Sequence, residues 1–317
     1  MATILLRYQA RGLQGVFERG NGINDGTWVR LRAYAQDADP AARINDQTIE
    51  IGWRHALHVL RAAAGLQRQL SFTFETDDTS RERIQQFMRA YRTVRQAVGA
   101  VRMDVTEEQV RARLQELGWN GETHELKDYQ LRDLRSLLSL ENGANFSVPG
   151  AGKTTVTFAL HLLAPAVVDR LLVVAPRNAF VAWEEVIDEC LSEYAPIQAR
   201  RPFVQLVGGE ARIAELLRTN PPRMLISYDQ LVRVESHIED LLSRHRVHLV
   251  LDEAHRMKAG TASRRGTVLL KLGYLAVRRD ILTGTPMPQR PADMQSQLDF
   301  LWPGAGLGAR VSAGEAP

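Results

Sequence analysis

The sequence predicts an α/β fold, in which the strands of a parallel sheet alternate with helices and a small α+β domain precedes them. Four continuous apolar runs end in polar or small residues, as strands buried on both faces of a parallel sheet do. These runs are LLVVAP from Leu171, RMLISY from Arg223, HLVLDEAH from His248 and RDILTGTP from Arg279. Because ligands bind beyond the carboxyl ends of such strands, we expect the functional residues at those ends.

The chain of 317 residues is long enough for two domains. We predict an accessory α+β domain of unknown role over residues 1–122, the parallel-sheet lobe over 123–304 and a flexible, Gly/Ala-rich tail over 305–317. No apolar run reaches the ~18–20 residues that span a bilayer. The single cysteine, Cys190, excludes a disulfide framework. We therefore expect a cytoplasmic protein without membrane contact.

Most of the 40 basic residues are arginine, and this raises the pI to about 9.2 although the net charge is only +3. A genomic bias towards GC-rich codons explains so much arginine better than a functional demand does. The net charge alone is weak evidence of nucleic-acid binding.

The predicted accessory domain shows short alternating patterns. Val29–Ala33 and Leu70–Phe74 alternate as half-buried strands do. A helix is expected to begin after Thr79 or Ser80 and to end near Gly99.

A second helix in this domain has recognisable ends. Thr106 and Gln109 form a predicted capping box, and Gly118 is the expected stop. Val110 and Leu114 belong to its apolar stripe. Neither helix carries a motif that indicates chemistry.

A glycine-rich segment predicts a phosphate-binding loop (P-loop). Gly150 and Gly152 allow the backbone N–H groups to turn towards a polyphosphate, and Lys153 follows at the start of an apolar helix. The lysine is expected on the β- and γ-phosphates and Thr154 on Mg²⁺. The strict pattern fails at one position, where Ser147 replaces the first glycine. The predicted nucleotide-binding residues of the loop are Gly150, Ala151, Gly152, Lys153, Thr154 and Thr155.

Two acids follow the apolar strand that begins at His248. Asp252 is expected to hold Mg²⁺, together with Thr154, and Glu253 to orient and polarise the attacking water. An isolated Asp-Glu pair usually does no more than cap a helix. Downstream of a phosphate loop, the pair predicts an ATP site, with Lys153, Asp252 and Glu253 as catalytic residues.

With these residues in place, the chain resembles helicases of superfamily two, and most closely the Swi/Snf-type DNA-translocating ATPases. The resemblance spans about Leu126 to Gly304 and follows the family's motif order. Its segments are Leu126–Gln130, Leu172–Pro176 with Trp183, Leu225–Tyr228, Asp252–Lys258, Leu282–Pro286 and Leu298–Pro303. The Thr-Gly-Thr within Leu282–Pro286 and the trailing L-D-F-L-W-P are typical of the Swi/Snf-type group.

The resemblance implies an ATP-binding RecA-like lobe and roles for further residues. Gln130 would bind adenine, since an amide can donate and accept at once. By resemblance, four residues would couple the nucleotide to the nucleic acid, namely His255, Thr283, Gly284 and Thr285. The implied nucleic-acid contacts are Pro176, Arg177 and Ser227.

Departures from the family pattern leave the subfamily and the target open. Ala259 stands where an Asn is frequent, and Met287–Arg290 replaces I-Q-N-N. The family's motors also close ATP between two RecA-like lobes, and we find no segment for the second. We therefore expect it in the full-length protein or in another chain.

These inferences give one main hypothesis and two alternatives. The main hypothesis is the ATP- and Mg²⁺-binding lobe of a nucleic-acid-dependent ATPase, acting on duplex DNA and weak or inactive when isolated. The alternatives are a non-catalytic module gated by nucleotide and a fragment of an RNA helicase.

Overall fold

The structure is a computed structural model that describes residues 2–9, 14–39, 41–85, 88, 105–164, 167–257, 259–287, 291–303 and 307. The chain divides into two compact units, Met1–Tyr91 and Arg92–Pro317. None of the helices in the described residues has the length and apolar character that crossing a bilayer requires.

The first unit is a five-stranded mixed sheet with helices α1 and α2 and a further helix that includes residues 78–85. The strand order is β3-β4-β2-β1-β5, and only β1 and β5 pair in parallel. Its elements are β1 Ala2–Gln9, β2 Gln14–Arg19, α1 Asp25–Ala38, β3 Arg43–Ile44, β4 Thr48–Gly52, α2 Trp53–Leu70 and β5 Phe72–Thr76. This arrangement agrees with the predicted α+β character.

The predicted strand at Val29–Ala33 is wrong, because these residues lie within α1. Asn24 caps that helix by accepting the Thr27 N–H at 2.8 Å. The alternation of apolar and arginine residues is also compatible with a helix that buries Trp28 and Leu31. A window of five residues is too short to distinguish the two-residue period of a strand from the roughly 3.6-residue period of a helix.

The two elements that follow are shifted from their predicted positions. The strand predicted at Leu70–Phe74 is Phe72–Thr76, since Leu70 still belongs to α2. The next helix already includes residue 78, because Asp77 accepts the Ser80 N–H at 2.7 Å and acts as the cap. The predicted remainder of that helix, 89–99, lies outside the described residues.

The second unit contains the predicted parallel sheet. Six strands lie in the order β6-β11-β10-β7-β9-β8, and all five neighbouring pairs are parallel. The strands are β6 Gly143–Asn145, β7 Arg170–Val174, β8 Val204–Gln205, β9 Arg223–Ile226, β10 Val247–Asp252 and β11 Arg278–Leu282. The four strands predicted from apolar runs are confirmed as β7, β9, β10 and β11.

Nine α-helices and four short 3₁₀ helices accompany this sheet in the described residues. The α-helices are α3 Glu107–Glu116, α4 Asp128–Leu138, α5 Lys153–Leu163, α6 Phe180–Cys190, α7 Glu210–Arg218, α8 Tyr228–Arg233, α9 Glu235–Arg244, α10 Arg264–Gly273 and α11 Gln295–Leu301. The 3₁₀ helices are Arg177–Ala179, Ala254–Met257, Gly260–Ala262 and Pro291–Met294.

Helix α3, which the sequence analysis places in the accessory domain, lies in the second compact unit. Its capping box is present, with Thr106 and Gln109 bonded reciprocally, and Gly118 follows in the left-handed region at φ +81°. Val110 and Leu114 are buried in the same core cluster as residues of α4, α5 and α6. This apolar burial holds α3 on the parallel-sheet unit.

A buried polar cluster lies at the amino-terminal ends of β10 and β11. Asp280 accepts hydrogen bonds from Arg278 Nε at 2.6 Å and contacts His248 Nε2 at 2.7 Å. The His161 ring on α5 lies 5.8 Å from the His248 ring. These groups are at the opposite end of the strands from the predicted site, so they belong to the structural core.

Candidate functional site

The glycine loop connects β6 to α5, as predicted. Gly150 and Gly152 have φ of +81° and +77°, a region that L side chains rarely adopt. A Cβ on Gly152 would also clash with Gln130 Nε2. The next residues, Lys153 to Thr155, form the first turn of α5 and are partly exposed. Their N–H groups lack helical partners and are available to an anion.

Gln130 fixes the loop to α4. Its Oε1 accepts the Lys127 N–H at 3.0 Å, and its Nε2 donates to the Ala151 carbonyl oxygen at 3.0 Å. The side chain is buried. The structure therefore places Gln130 beside the glycine loop, with its amide already bonded within the chain. Its role in adenine recognition stays a prediction.

Lys153 lies over the same loop. Its Nζ donates to the carbonyl oxygens of Ser147 at 2.9 Å and Val148 at 3.2 Å. The Ser147 hydroxyl donates in turn to Asp133 Oδ2 at 3.0 Å. Ser147, the departure from the usual loop pattern, thus anchors the loop to α4 through its side chain.

Asp252 ends β10, two strands from the glycine loop in the sheet order. Burial raises the pKa of its carboxyl group, while the hydrogen bond from Trp183 and the positive charge of Lys153 lower it. Lys153 begins α5, directly after the glycine loop that follows β6. Because the strands are parallel, the glycine loop after β6 and Asp252 at the end of β10 lie at the same carboxyl edge of the sheet.

Each carboxylate oxygen of Asp252 and its main-chain carbonyl oxygen accepts one hydrogen bond from within the protein. Trp183 Nε1 donates to Oδ2 at 3.0 Å, and the Glu253 N–H donates to Oδ1 at 3.0 Å. The Tyr228 hydroxyl donates to the Asp252 carbonyl oxygen at 2.7 Å. In the sequence, Trp183 is marked only by its position after Pro176, and no pattern indicates that Tyr228 holds Asp252.

Glu253 adopts a left-handed backbone conformation with φ +54°, which is unfavourable for a residue with a side chain. Its Oε2 lies 3.2 Å from His255 Nδ1. The same ring nitrogen lies 3.1 Å from Thr283 Oγ1 and 3.3 Å from Thr285 Oγ1. His255 therefore joins the acidic pair at the end of β10 to the threonines that follow β11.

Gly284 lies between these threonines and contacts the phosphate loop. A Cβ at this position would be 2.9 Å from Pro149 Cδ. The Thr285 N–H donates to Thr283 Oγ1 at 3.1 Å and closes the turn. The predicted coupling residues thus form one contact chain from the β10 acids to the glycine loop.

The three residues predicted to contact nucleic acid line one cavity of about 380 Å³ at the ends of β7 and β9. Arg233 and Arg256 line it as well. Both also line an adjoining cavity of about 740 Å³, together with Arg264 and Arg265. We call this surface the cationic groove; its residues are Pro176, Arg177, Ser227, Arg233, Arg256, Arg264 and Arg265.

Arg233, Arg256, Arg264 and Arg265 are not among the nucleic-acid contacts predicted from the sequence. Arg256 is part of the D-E-A-H-R segment, so its position was a usable signal. Arg233 has no such signal in the sequence. It lies one helical turn after Asp229 and belongs to none of the motifs. Arg265 donates to Asp229 Oδ1 at 2.6 Å, which neutralises one of the groove's charges.

A glycine loop, a strand-borne Asp-Glu pair and a Thr-Gly-Thr turn on adjacent strands of a parallel sheet define an ATPase lobe of the helicase class. The chain belongs to the SNF2-related domain family, whose model matches residues 43–307. This confirms the resemblance to Swi/Snf-type proteins.

Individual relatives agree with this family. The chain is 29% identical over 193 residues to the probable ATP-dependent DNA helicase CHR12 of Arabidopsis thaliana, a match that covers 56% of this chain and 16% of the relative. It is 31% identical over 201 residues to helicase SWR1 of Cryptococcus neoformans, covering 59% of this chain and 15% of the relative. The chain thus spans about a sixth of the length of these curated relatives.

Among solved structures, the SWI2/SNF2 ATPase core of Sulfolobus solfataricus in complex with double-stranded DNA is similar at 19% identity. The TM-score is 0.47, and the match covers 61% of this chain and 41% of the solved chain.

Proposed function

We propose that this lobe binds ATP with Mg²⁺ and hydrolyses it in response to nucleic acid, as part of a translocase acting on duplex DNA. The observation that carries the proposal is that the glycine loop with Lys153 and the Asp252–Glu253 pair lie at one edge of the parallel sheet and are joined there through the Thr283–Thr285 turn. An ATP site needs the negative phosphates, the metal ion and the charged side chains of the protein close together, so that opposite charges are neighbours.

The phosphate cradle is supported by three features of the loop. Two glycines adopt positive φ and leave the backbone accessible, and the first turn of α5 directs N–H groups into the same space. Lys153 supplies a positive charge that is bonded to two loop carbonyls. Binding ATP would exchange these carbonyl bonds for stronger, charge-assisted bonds to phosphate oxygens.

The residues present fit Mg²⁺ held chiefly by phosphate oxygens and water. No group of three or more His, Cys, Asp or Glu side chains among the described residues could hold a metal ion alone. Mg²⁺ sites of nucleotide enzymes use one or two protein oxygens, and we assign these to Asp252 and Thr154. The Asp252 carboxylate accepts one hydrogen bond at each oxygen and has lone pairs left for a cation. When bound, the ion would neutralise charge that develops on the phosphates.

Glu253 is the residue best placed to orient the attacking water. It follows Asp252 directly, and its backbone lies in the left-handed region at φ +54°. His255 holds the carboxylate at 3.2 Å and connects it to Thr283 and Thr285. We assign Glu253 as the group that polarises the water and His255 as its support.

The cationic groove supports nucleic acid as the activating ligand. Arg177, Arg233, Arg256 and Arg264 are exposed there, with Asp229 as the acidic residue in the lining. Contacts made by arginines to phosphates do not read sequence, and this suits a motor that moves along DNA. The names of the two relatives describe helicases, and one of them a DNA helicase.

A calorimetric comparison of two lysine variants tests the proposal. Lys153→Ala should abolish measurable binding of ATP and Mg²⁺, because it removes the charge beside the phosphates. The control is Lys271→Ala, which removes a lysine paired with Glu235 and Glu239. Unchanged ATP affinity in Lys153→Ala would disprove the phosphate-loop assignment.

Competition between duplex DNA and duplex RNA tests the choice of nucleic acid. We expect DNA to displace a labelled DNA duplex more effectively than RNA does. Stronger displacement by RNA would favour an RNA helicase, and no effect of either on bound nucleotide would favour a non-catalytic module.

A further inference from the structure

Two hydrogen bonds reach Asp252 from the segments that line the cationic groove. Trp183 lies in α6, which continues directly from the 3₁₀ helix Arg177–Ala179. Tyr228 is the first residue of α8 and follows Ser227. The indole N–H of Trp183 bonds the carboxylate, and the Tyr228 hydroxyl bonds the main-chain carbonyl of the same residue.

Both donors are buried, so their positions are set by packing. Trp183 is 0% exposed and packs edge-on against Phe203 with ring centroids 5.9 Å apart. Tyr228 is 2% exposed. An indole N–H can only donate, and in a buried position it needs an acceptor. A shift of α6 would therefore strain the bond to Asp252 or move the carboxylate with it.

The groove ends of the same two elements carry polar groups suited to phosphate. Arg177 is exposed six residues before Trp183 along the continuous helical segment. Ser227 Oγ caps α8 by accepting the Gln230 N–H at 3.2 Å, so its placement is coupled to the start of the helix. A phosphate bound at Arg177 and Ser227 would act on both elements that hold Asp252.

We propose that Trp183 and Tyr228 are positioning residues that link phosphate binding in the cationic groove to the placement of Asp252. This inference rests on the proposed function. Groove occupancy would favour the arrangement in which the Asp252 carboxylate faces the nucleotide and its metal. Reciprocally, bound nucleotide and Mg²⁺ would tighten binding in the groove by the same factor.

Binding measurements on the full chain test this link. Nucleotide affinity is measured with a non-hydrolysable ATP analogue, with and without Mg²⁺ and a short DNA duplex, and Mg²⁺ is titrated at fixed analogue. For the unmodified chain we expect the duplex to tighten binding of the Mg²⁺ complex by about 5-fold or more. Trp183→Phe keeps an aromatic ring but removes the N–H. It should abolish this coupling and weaken Mg²⁺ binding by roughly 10-fold, with metal-free analogue binding unchanged.

Trp119→Phe is the matched control. Trp119 is also buried, and its indole N–H donates to the His124 carbonyl oxygen, outside the site. This variant loses a comparable hydrogen bond but should keep the coupling and the Mg²⁺ dependence. Tyr228→Phe, which removes one hydroxyl, decides the question if Trp183→Phe does not fold.

The outcomes separate the inference from the proposed function. If the unmodified chain fails to bind the analogue with Mg²⁺, the proposed function fails. If the unmodified chain binds analogue and duplex without coupling, the inference is overturned while the ATP site stands. The same holds if the folded Trp183→Phe and Tyr228→Phe variants keep the full coupling.

Discussion

At the scale of single residues, Gly152 is constrained in two independent ways. Its φ of +77° excludes most side chains, and its missing Cβ leaves room for the Gln130 amide. Gln130 cannot retreat without losing bonds to Ala151 and Lys127. A methyl group at position 152 must therefore displace either the glycine loop or the start of α4.

Gly152→Ala should lower the free energy of unfolding by about 1–3 kcal/mol, the usual cost of a strained backbone position. Nucleotide binding should weaken by about 10-fold or more, because the loop N–H groups are displaced. Thermal unfolding and calorimetry measure the two effects. The control is Gly121→Ala, since nothing lies within 4 Å of a Cβ there. Equal effects in both variants would contradict the argument.

Individual site residues differ in whether they can be predicted from the sequence. The glycine loop and the Asp252–Glu253 pair are contiguous along the chain, so their chemistry appears as a pattern. The bond from Trp183 to Asp252 joins residues 69 positions apart. It exists only because β7 and β10 are neighbours in the sheet, and no local pattern encodes that adjacency.

At the scale of elements, burial decided which predictions succeeded. Strands β7, β9, β10 and β11 are buried on both faces, and their apolar runs were sufficient to predict them. β6 and β8 have three and two residues, too few for a pattern. In the first unit, Val29–Ala33 alternate between apolar and polar residues as a strand does, although they belong to the half-buried helix α1.

Two buried histidines, one on α5 and one on β10, should make the free energy of unfolding depend on pH. His161 and His248 are buried, and burial lowers the pKa of both; for His161 the nearby charges of His248 and Arg223 act in the same direction. The folded chain therefore resists protonation of these rings, whereas the unfolded chain takes up protons near pH 6.5. Stability is thus full above about pH 6.5 and falls as the pH decreases below it.

His161→Phe should reduce this loss. For the unmodified chain, each buried neutral histidine contributes a slope of up to about 1.4 kcal/mol per pH unit below pH 6.5. Between about pH 6.5 and pH 5, the free energy of unfolding of the variant should fall less steeply with decreasing pH, by one such contribution. Denaturant unfolding at several pH values measures it, with His237→Phe on the surface as the control. An unchanged slope in His161→Phe would show that the buried ring is not responsible.

At the scale of the whole molecule, the cationic groove is a product of topology. Arg177 follows β7, Arg233 ends α8 after β9, and Arg256 follows β10. These residues are far apart in the sequence, but the parallel order places β10, β7 and β9 side by side. Every connection returns the chain to the same edge, so the nucleotide residues and the groove share that edge.

The groove makes a quantitative prediction for DNA binding. Each arginine–phosphate contact releases a counterion, so the slope of log affinity against log salt concentration reports the number of contacts. Arg233→Ala should weaken binding of a DNA duplex uniformly across sequences and reduce that slope by about 1. Fluorescence anisotropy over a range of salt concentrations measures both quantities. Arg218→Ala is the control, because this exposed arginine ends α7 and bonds the Ala214 carbonyl of its own helix. If Arg233→Ala and Arg218→Ala give the same slope as the unmodified chain, DNA does not follow the groove, and its path must lie on another face of the parallel-sheet unit.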